Sequence, residues 1–287
     1  MNSVLDRPLA TSLPRKRAGA PPFVLFSGGK GGVGKTLLAA NAAVELAQRG
    51  HRVLLVDLDL GLADLDVLLR VSPKHTIEDA LAGRVTLADC VVTGPGGVHV
   101  LAASSGSITM GALDETRRAQ LFGALFELAR SYEIVVGDSA AGIGPDVLDA
   151  CVLADHVFVV TTPEPAALTD AYGLIKALHA WSEEHGREVP TPELVVNQSR
   201  SFEEAEHTAS KLRSVCERFL ARSPRSAGWM PSSPALSGSA TARRPFALDR
   251  DGGLPWTCLA RIATRLERLC LGSAPAAVAQ GGLAHGR

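Results

Sequence analysis

One short stretch of the chain has the residue types and spacing needed to hold a phosphate group. It is the glycine-rich segment 28–36, which ends in Lys35 and Thr36 and lies between an apolar run at 23–26 and a helical pattern that begins at 37. Glycines let backbone N–H groups turn towards an anion, and the following helix adds its positive N-terminal end. Lys35 would reach the β- and γ-phosphates, and the Thr36 hydroxyl would bind Mg²⁺. The segment therefore predicts an ATP-type site with these contacts: Gly29, Lys30, Gly31, Gly32, Val33, Gly34, Lys35 and Thr36.

Acidic residues follow two of the predicted strands. Asp57 ends one strand, with Asp59 two residues further on, and Asp138 ends another. In parallel α/β sheets the ligand lies beyond the carboxyl ends of the strands. Asp57 and Asp138 are therefore predicted to steady Mg²⁺ beside Thr36, and Asp59 to orient the attacking water. The alternative is that Asp57 and Asp59 only cap a loop or helix.

The strands and helices that hold these residues can be predicted from the chain, because short apolar runs alternate with helical patterns. We predict an α/β fold with a doubly wound, mostly parallel sheet that has helices on both faces. Thr76 and Asp79 form the pattern of a helix N-cap. The predicted strands are 23–27, 52–57, 98–102, 134–138, 156–161, 193–197 and one near 228–230. The predicted helices are 36–49, 76–82, 114–131, 145–154, 166–185, 202–221 and 254–271.

The domain organisation predicted from composition is simple. Residues 23–271 form one P-loop ATPase domain, preceded by a proline-containing flexible leader at 1–22 and followed by a glycine-rich flexible tail at 272–287. The net charge of −1 argues against binding of nucleic acid or anionic membrane through the overall field. The five cysteines are widely spaced, with no Cys-x-x-Cys pair, which favours a reducing cytoplasm over a disulfide framework or a metal cluster.

Lys30 adds a second lysine inside the loop, in the order Lys-Gly-Gly-Val-Gly-Lys-Thr. This order resembles the deviant Walker A motif of the MinD/ParA (SIMIBI) family of ATPases. The resemblance implies an ATP-dependent homodimer in which Lys30 reaches the nucleotide held by the second subunit. It also implies Mg²⁺-dependent ATP hydrolysis that is slow without a stimulating partner, with Lys30, Lys35 and Asp59 as the catalytic residues.

Within that family, two further segments resemble the flagellar-number regulators of the FlhG (FleN) branch. Residues 57–66 resemble their switch I and residues 138–143 their switch II, and the likeness extends over about 23–270, including 67–106 and 231–246. It implies that Asn197 reads the adenine base. It also implies control of flagellar number or placement, with an FlhF-type GTPase or a flagellar basal-body protein as partner.

Several residues depart from the pattern of that branch. The leader has no Asp-Gln-Ala-x-x-Leu-Arg segment, which in FlhG proteins stimulates FlhF. Asp64 stands where asparagine is usual, and Ser232 and Ser233 stand where an aspartate often follows proline. Gly137 interrupts an apolar strand, and we expect it to weaken packing there.

Other classes of protein contain the same phosphate-loop motif and are therefore alternatives. A MinD-like or ParA-like ATPase would position division machinery, DNA or another cargo, although Arg243 and Arg244 are too few for a DNA-binding patch, so no specific nucleic-acid binding is expected. An iron–sulfur carrier would need paired cysteines, and a module that does not hydrolyse ATP would not need these lysines and aspartates. The helix at 254–271 either seeks an anionic membrane at the inner face of the cell membrane or packs on the domain with its arginines in water.

Overall fold

The computed structural model describes residue 13 and the ranges 19–103, 113–250 and 253–272. Most of the predicted leader at 1–22, the tail beyond 272 and residues 104–106 of the family likeness lie outside the described residues. Within the leader, Leu13 and Pro21 are buried, and Leu13 packs in the hydrophobic core.

The described part of the chain forms one eight-stranded sheet. Its strands are β1 (Phe23–Gly28), β2 (Val53–Asp57), β3 (Val91–Thr93), β4 (His99–Leu101), β5 (Ile134–Ala141), β6 (His156–Thr161), β7 (Glu193–Ser199) and β8 (Arg225–Pro231). They are arranged in the order β3–β4–β2–β5–β1–β6–β7–β8, and in the described residues only the pairing of β3 with β4 is antiparallel. This confirms the predicted doubly wound, mostly parallel sheet.

Helices cover both faces of the sheet. They are α1 (Lys35–Gln48), α2 (Leu65–Leu69), α3 (Ile77–Leu81), α4 (Glu115–Ala129), α5 (Pro145–Leu153), α6 (Pro165–His185), α7 (Phe202–Leu220), α8 (Pro234–Ala242) and α9 (Leu254–Leu271). Alternate residues of β1 lie in different cores, because successive side chains of a strand point to opposite faces: Phe23 and Leu25 pack with α4 to α7, whereas Val24 and Phe26 pack with α1 and α9.

Two local predictions can be compared directly with the structure. Thr76 and Asp79 form a capping box at the start of α3, with the Thr76 N–H donating to Asp79 Oδ2 at 3.0 Å, as the sequence predicted. Gly137 does not interrupt β5. A Cβ atom at Gly137 would lie 2.8 Å from the Phe23 ring and 2.9 Å from Leu25 Cδ1, so these two side chains fill the space above the glycine. The expected weakening of the strand is thus offset by packing from β1.

The last helix, α9, packs on the domain. Its apolar side chains are buried against β8 and α1, and Arg265 pairs with Glu193 at the start of β7 at 2.6 Å. Glu267 accepts from Arg49 at the end of α1, also at 2.6 Å. Of the two alternatives for this helix, the structure shows the packed one. Among the described residues, no helix is both long and apolar enough to cross a membrane.

A phosphate-binding loop beside paired carboxylates

The phosphate loop joins β1 to α1 at the carboxyl end of the sheet. Gly29 lies so close to α6 that a Cβ atom there would be 2.0 Å from the Asp170 carbonyl oxygen, so only glycine fits. Gly34, with φ of 91°, occupies the N-cap of α1 and provides no side-chain acceptor for the first-turn N–H groups. Those N–H groups and the buried Lys35 are therefore available to an anionic phosphate.

Two carboxylates meet beside this loop. Asp57 and Asp138 are register partners on the adjacent strands β2 and β5, and both are buried. The Thr36 side chain lies close enough to Asp138 to lower the pKa of its carboxyl, and the Asp138 Oδ1 atom accepts no hydrogen bond from the described residues. The structure thus brings together the three residues that the sequence assigned to Mg²⁺.

The electrostatics of this pair favour a cation. Burial, followed by the nearby Asp138 charge, raises the pKa of Asp57 well above its ordinary value. Burial raises the pKa of Asp138 to about 7, although Thr36 and Lys35 oppose the shift. Ionisation of two adjacent buried carboxylates has a high free-energy cost unless a positive charge lies beside them.

The donor set fits Mg²⁺ bound together with a nucleotide. No group of three or more His, Cys, Asp or Glu side chains that could hold a metal occurs in the described ranges. Mg²⁺ takes few protein ligands and completes its shell with phosphate oxygens and waters. Thr36 would bind the ion directly, with Asp138 and Asp57 outside the first shell, and the orphaned Asp138 oxygen is the observation that supports this fit.

Asp59 lies on the loop between β2 and α2, two residues beyond the end of β2. Its Oδ1 accepts the Leu62 N–H at 3.1 Å, and its own N–H donates to Asp57 Oδ1 at 3.0 Å. Asp57 also accepts the Leu65 N–H at 3.4 Å. Both carboxylates therefore shape this loop, as the capping alternative requires. The role of Asp59 in orienting water stays a prediction.

Asn197, at the end of β7, contacts the phosphate loop. Its Nδ2 donates to the Val33 carbonyl at 2.8 Å, and its Oδ1 accepts the Gln198 N–H at 2.9 Å. Gln198 adds a longer contact, from Nε2 to the Gly32 carbonyl at 3.4 Å. Sequence reasoning missed this attachment of β7 to the loop, and the reading of adenine by Asn197 stays a prediction.

Lys30 lies at the exposed tip of the loop. Its Nζ is 2.8 Å from Glu164 Oε2, at the start of α6 in the same chain. The hydrogen bond to Glu164 raises the pKa of Lys30. Glu164 was not among the residues chosen from the sequence, because 134 positions separate it from Lys30 and no local pattern connects them.

The fold and this loop define a P-loop nucleotide-binding domain. The chain belongs to the CobQ/CobB/MinD/ParA nucleotide-binding family, whose model matches residues 24–245. This confirms the resemblance to the MinD/ParA ATPases that the sequence showed.

Particular relatives narrow the comparison. The chain is 41% identical to the antiactivator FleN of Pseudomonas aeruginosa over 197 residues, which is 69% of each chain. It is 34% identical to the flagellum site-determining protein YlxH of Helicobacter pylori over 55% of this chain and 54% of that protein. Its fold is similar to that of the septum site-determining protein MinD of Pyrococcus horikoshii, solved with Mg-ADP, with a TM-score of 0.68, 21% identity and coverage of 86% of this chain and 96% of that one.

Proposed function

We propose that this protein is an ATP-dependent dimerisation switch that controls the number or placement of flagella. The observation that carries the flagellar part is the 41% identity to FleN across 69% of both chains. The name of the second relative, a flagellum site-determining protein, points the same way. The ATPase part is supported by the site itself, in which a glycine loop, Lys35 and Thr36 adjoin two buried carboxylates.

ATP and Mg²⁺ would be held by the loop and its carboxylates. Lys35 and the first-turn N–H groups of α1 would bind the β- and γ-phosphates, and Thr36 would provide a ligand to the metal. Asp57 and Asp138 would steady the ion with their negative charge. Mg²⁺, when bound, neutralises the charge that develops on the phosphate oxygens during transfer.

In this proposal ATP hydrolysis is slow until a partner protein stimulates it. Two contacts explain the slow rate, because they hold Asp59 and Lys30 away from the nucleotide. The Asp59 carboxylate is engaged by the Leu62 N–H, and the Lys30 ammonium is engaged by Glu164. Phosphoryl transfer depends on positioning rather than on covalent chemistry. Both side chains must leave their present partners before Asp59 can orient water and Lys30 can reach the nucleotide of a second subunit.

The cycle is placed in the cytoplasm, with an FlhF-type GTPase or a flagellar basal-body protein as the stimulating or receiving partner. Contact of the ATP-bound dimer with an anionic membrane surface belongs to the same proposal. That contact would need a surface other than the apolar face of α9, which is buried. Binding to a specific nucleic acid is not part of the proposal.

A second candidate is a MinD-like ATPase that positions division machinery or another cargo. The observation that favours it is the fold similarity to MinD, which covers 96% of the Pyrococcus horikoshii chain. The two candidates share the nucleotide cycle and differ in the cellular structure that responds. A cellular experiment therefore separates them.

The experiment counts flagella per cell in a deletion strain complemented with wild type, Lys35→Ala or Glu184→Gln. Glu184 is exposed on α6 and serves as the control. We expect extra or misplaced flagella in the deletion strain, with rescue by wild type and Glu184→Gln but not by Lys35→Ala. Normal flagella would rule out the flagellar function, and minicells in the same strain would favour the MinD-like one.

A further inference from the structure

Behind Asp138, on the face of the sheet covered by α5, lies a buried line of three polar side chains. The hydroxyls of Ser27 in β1 and Ser139 in β5 hydrogen-bond each other with an Oγ–Oγ distance of 2.9 Å. Both side chains are buried, and the buried Cys151 thiol of α5 lies beside Ser27. In the described ranges no hydrogen bond joins these side chains to Asp57 or Asp138, so the site described above does not explain them.

This line coincides with an irregularity in the pairing of β1 and β5. Phe26 pairs with Asp138 and Gly28 with Ala141, so β5 contains one more residue than β1 between the two pairs. Such a bulge bends a strand and re-aims the side chains around it. Beyond the bulge, the Gly142 N–H donates to the Gly28 carbonyl at 3.0 Å, which returns β5 to the phosphate loop.

The Ser139 hydroxyl has two acceptors at 2.9 Å, Ser27 Oγ and the carbonyl of Ala140. It carries one proton, which it can donate to only one of them at a time. The bond between Ser27 and Ser139 is the side-chain link across the bulge, at the residue directly after Asp138.

We propose that Ser27 and Ser139 are positioning residues that fix the bulge of β5 and thereby hold Asp138 against Thr36 and the segment 139–144 against the phosphate loop. The proposal rests on the proposed function, because the placement of Asp138 matters for Mg²⁺ bound with ATP. Loss of the bond would let the extra residue of β5 move along β1. Asp138 would then lose its fixed distance to Thr36, while the phosphate loop itself would stay intact.

The test distinguishes an effect of the two serines on the position of Asp138 from an effect on the stability of the fold. Ser139→Ala alone removes the hydrogen-bond partner of the buried Ser27 hydroxyl, so the melting temperature of this variant should fall by about 5 °C. The double variant Ser27→Ala/Ser139→Ala removes both partners, so its melting temperature should return to within about 2 °C of wild type. Ser214→Ala, in an exposed serine of α7, is the matched control.

The decisive readout is the affinity for a non-hydrolysable ATP analogue, measured by calorimetry with Mg²⁺ and with EDTA. We expect the Mg²⁺-free affinity of the double variant to equal that of wild type, and its gain in affinity on adding Mg²⁺ to be at least about fivefold smaller. Ser214→Ala should match wild type in both. If the double variant is unstable, the gain in analogue affinity on adding Mg²⁺ is measured instead for Ser139→Ala, at a temperature below the melting temperature of that variant.

Two results would overturn the proposal. A double variant that keeps the full Mg²⁺ gain of wild type would show that the two hydroxyls do not position Asp138, and it would leave the proposed function standing. Wild-type protein that binds the analogue under neither condition would overturn the proposed function and this proposal together.

Discussion

The Lys30 ammonium lies 2.8 Å from the Glu164 carboxylate of its own chain, although family resemblance assigns this lysine to the nucleotide of a second subunit. The side chains of the two residues are 37% and 64% exposed. A surface ion pair of this kind contributes little, because water screens the two charges. The contact therefore restrains Lys30 weakly enough for an ATP-dependent dimer to replace it.

Glu164→Gln should tighten the ATP-dependent dimer, because it removes the competing partner of Lys30. We expect the dimer dissociation constant, measured by sedimentation equilibrium with a non-hydrolysable ATP analogue, to fall by up to about fivefold. Lys30→Ala should prevent dimer formation while leaving ATP binding by the monomer unchanged. Glu184→Gln, on the exposed face of the same helix, is the control. Weaker dimerisation of Glu164→Gln would show instead that Glu164 belongs to the interface.

Gly29→Ala and Gly31→Ala should have very different effects on the free energy of unfolding, although both substitutions lie in the phosphate loop. A Cβ atom at position 29 would meet the backbone carbonyl of Asp170 at 2.0 Å, whereas nothing lies within 4 Å of one at position 31. We expect Gly29→Ala to lower the free energy of unfolding by about 2 kcal/mol or more, since α6 must shift. Gly31→Ala should stay within about 0.5 kcal/mol of wild type.

The measurement is urea denaturation without nucleotide, so that phosphate contacts do not enter the comparison. Equal stability of the two variants would mean that the loop is free to move away from α6. In that case the close approach of Gly29 to Asp170 would not be a requirement of the fold.

Local patterns were sufficient for the central strands and the phosphate loop. The apolar run before Gly28 and the helical pattern after Thr36 placed β1 and α1 to within one residue at each end. The carboxylates could be placed because parallel strands end at one edge of the sheet. Asp57 and Asp138 therefore meet as strand neighbours, as their positions in the sequence required.

Very short elements and contacts between distant parts of the chain could not be predicted from local sequence patterns. The strand β3 has three residues and α2 has five, too few for a hydrophobic period, so neither was predicted. The helix α8 was also missed. There, Ser233, one of the residues that depart from the family pattern, accepts the Ala235 N–H at 3.2 Å as the N-cap. The contact of Lys30 with Glu164 depends on how α6 packs beside the loop.

The stability of the metal-free protein should depend on pH through Asp138. Its pKa is raised from 3.8 to about 7, so the native state holds a proton that the unfolded state releases. The resulting stabilisation is present at low pH and is lost as pH rises through about 4 to 7. Relative to Asp138→Asn, wild type should therefore lose about 2–3 kcal/mol between pH 5 and pH 8, out of about 4 kcal/mol over the whole pH range.

Urea denaturation of both proteins in EDTA, at intervals across this pH range, measures the effect. Taking the difference from Asp138→Asn removes most of the contribution of other titrating groups. ATP with Mg²⁺ should restore the stability of wild type at pH 8, because the cation offsets the buried negative charge. A difference that does not change with pH would show that Asp138 is already ionised throughout.

Ile262→Ala and Leu271→Ala test whether α9 is part of the fold in solution. Ile262 is fully buried against β8, whereas Leu271 at the end of the helix is 40% exposed. Ile262→Ala should cost about 2–4 kcal/mol of unfolding free energy, and Leu271→Ala less than about 0.5 kcal/mol. Urea denaturation gives these values, and sedimentation with anionic liposomes in the presence of an ATP analogue gives membrane binding. If Ile262→Ala instead weakened liposome binding without loss of stability, α9 would be a membrane-seeking helix that leaves the domain.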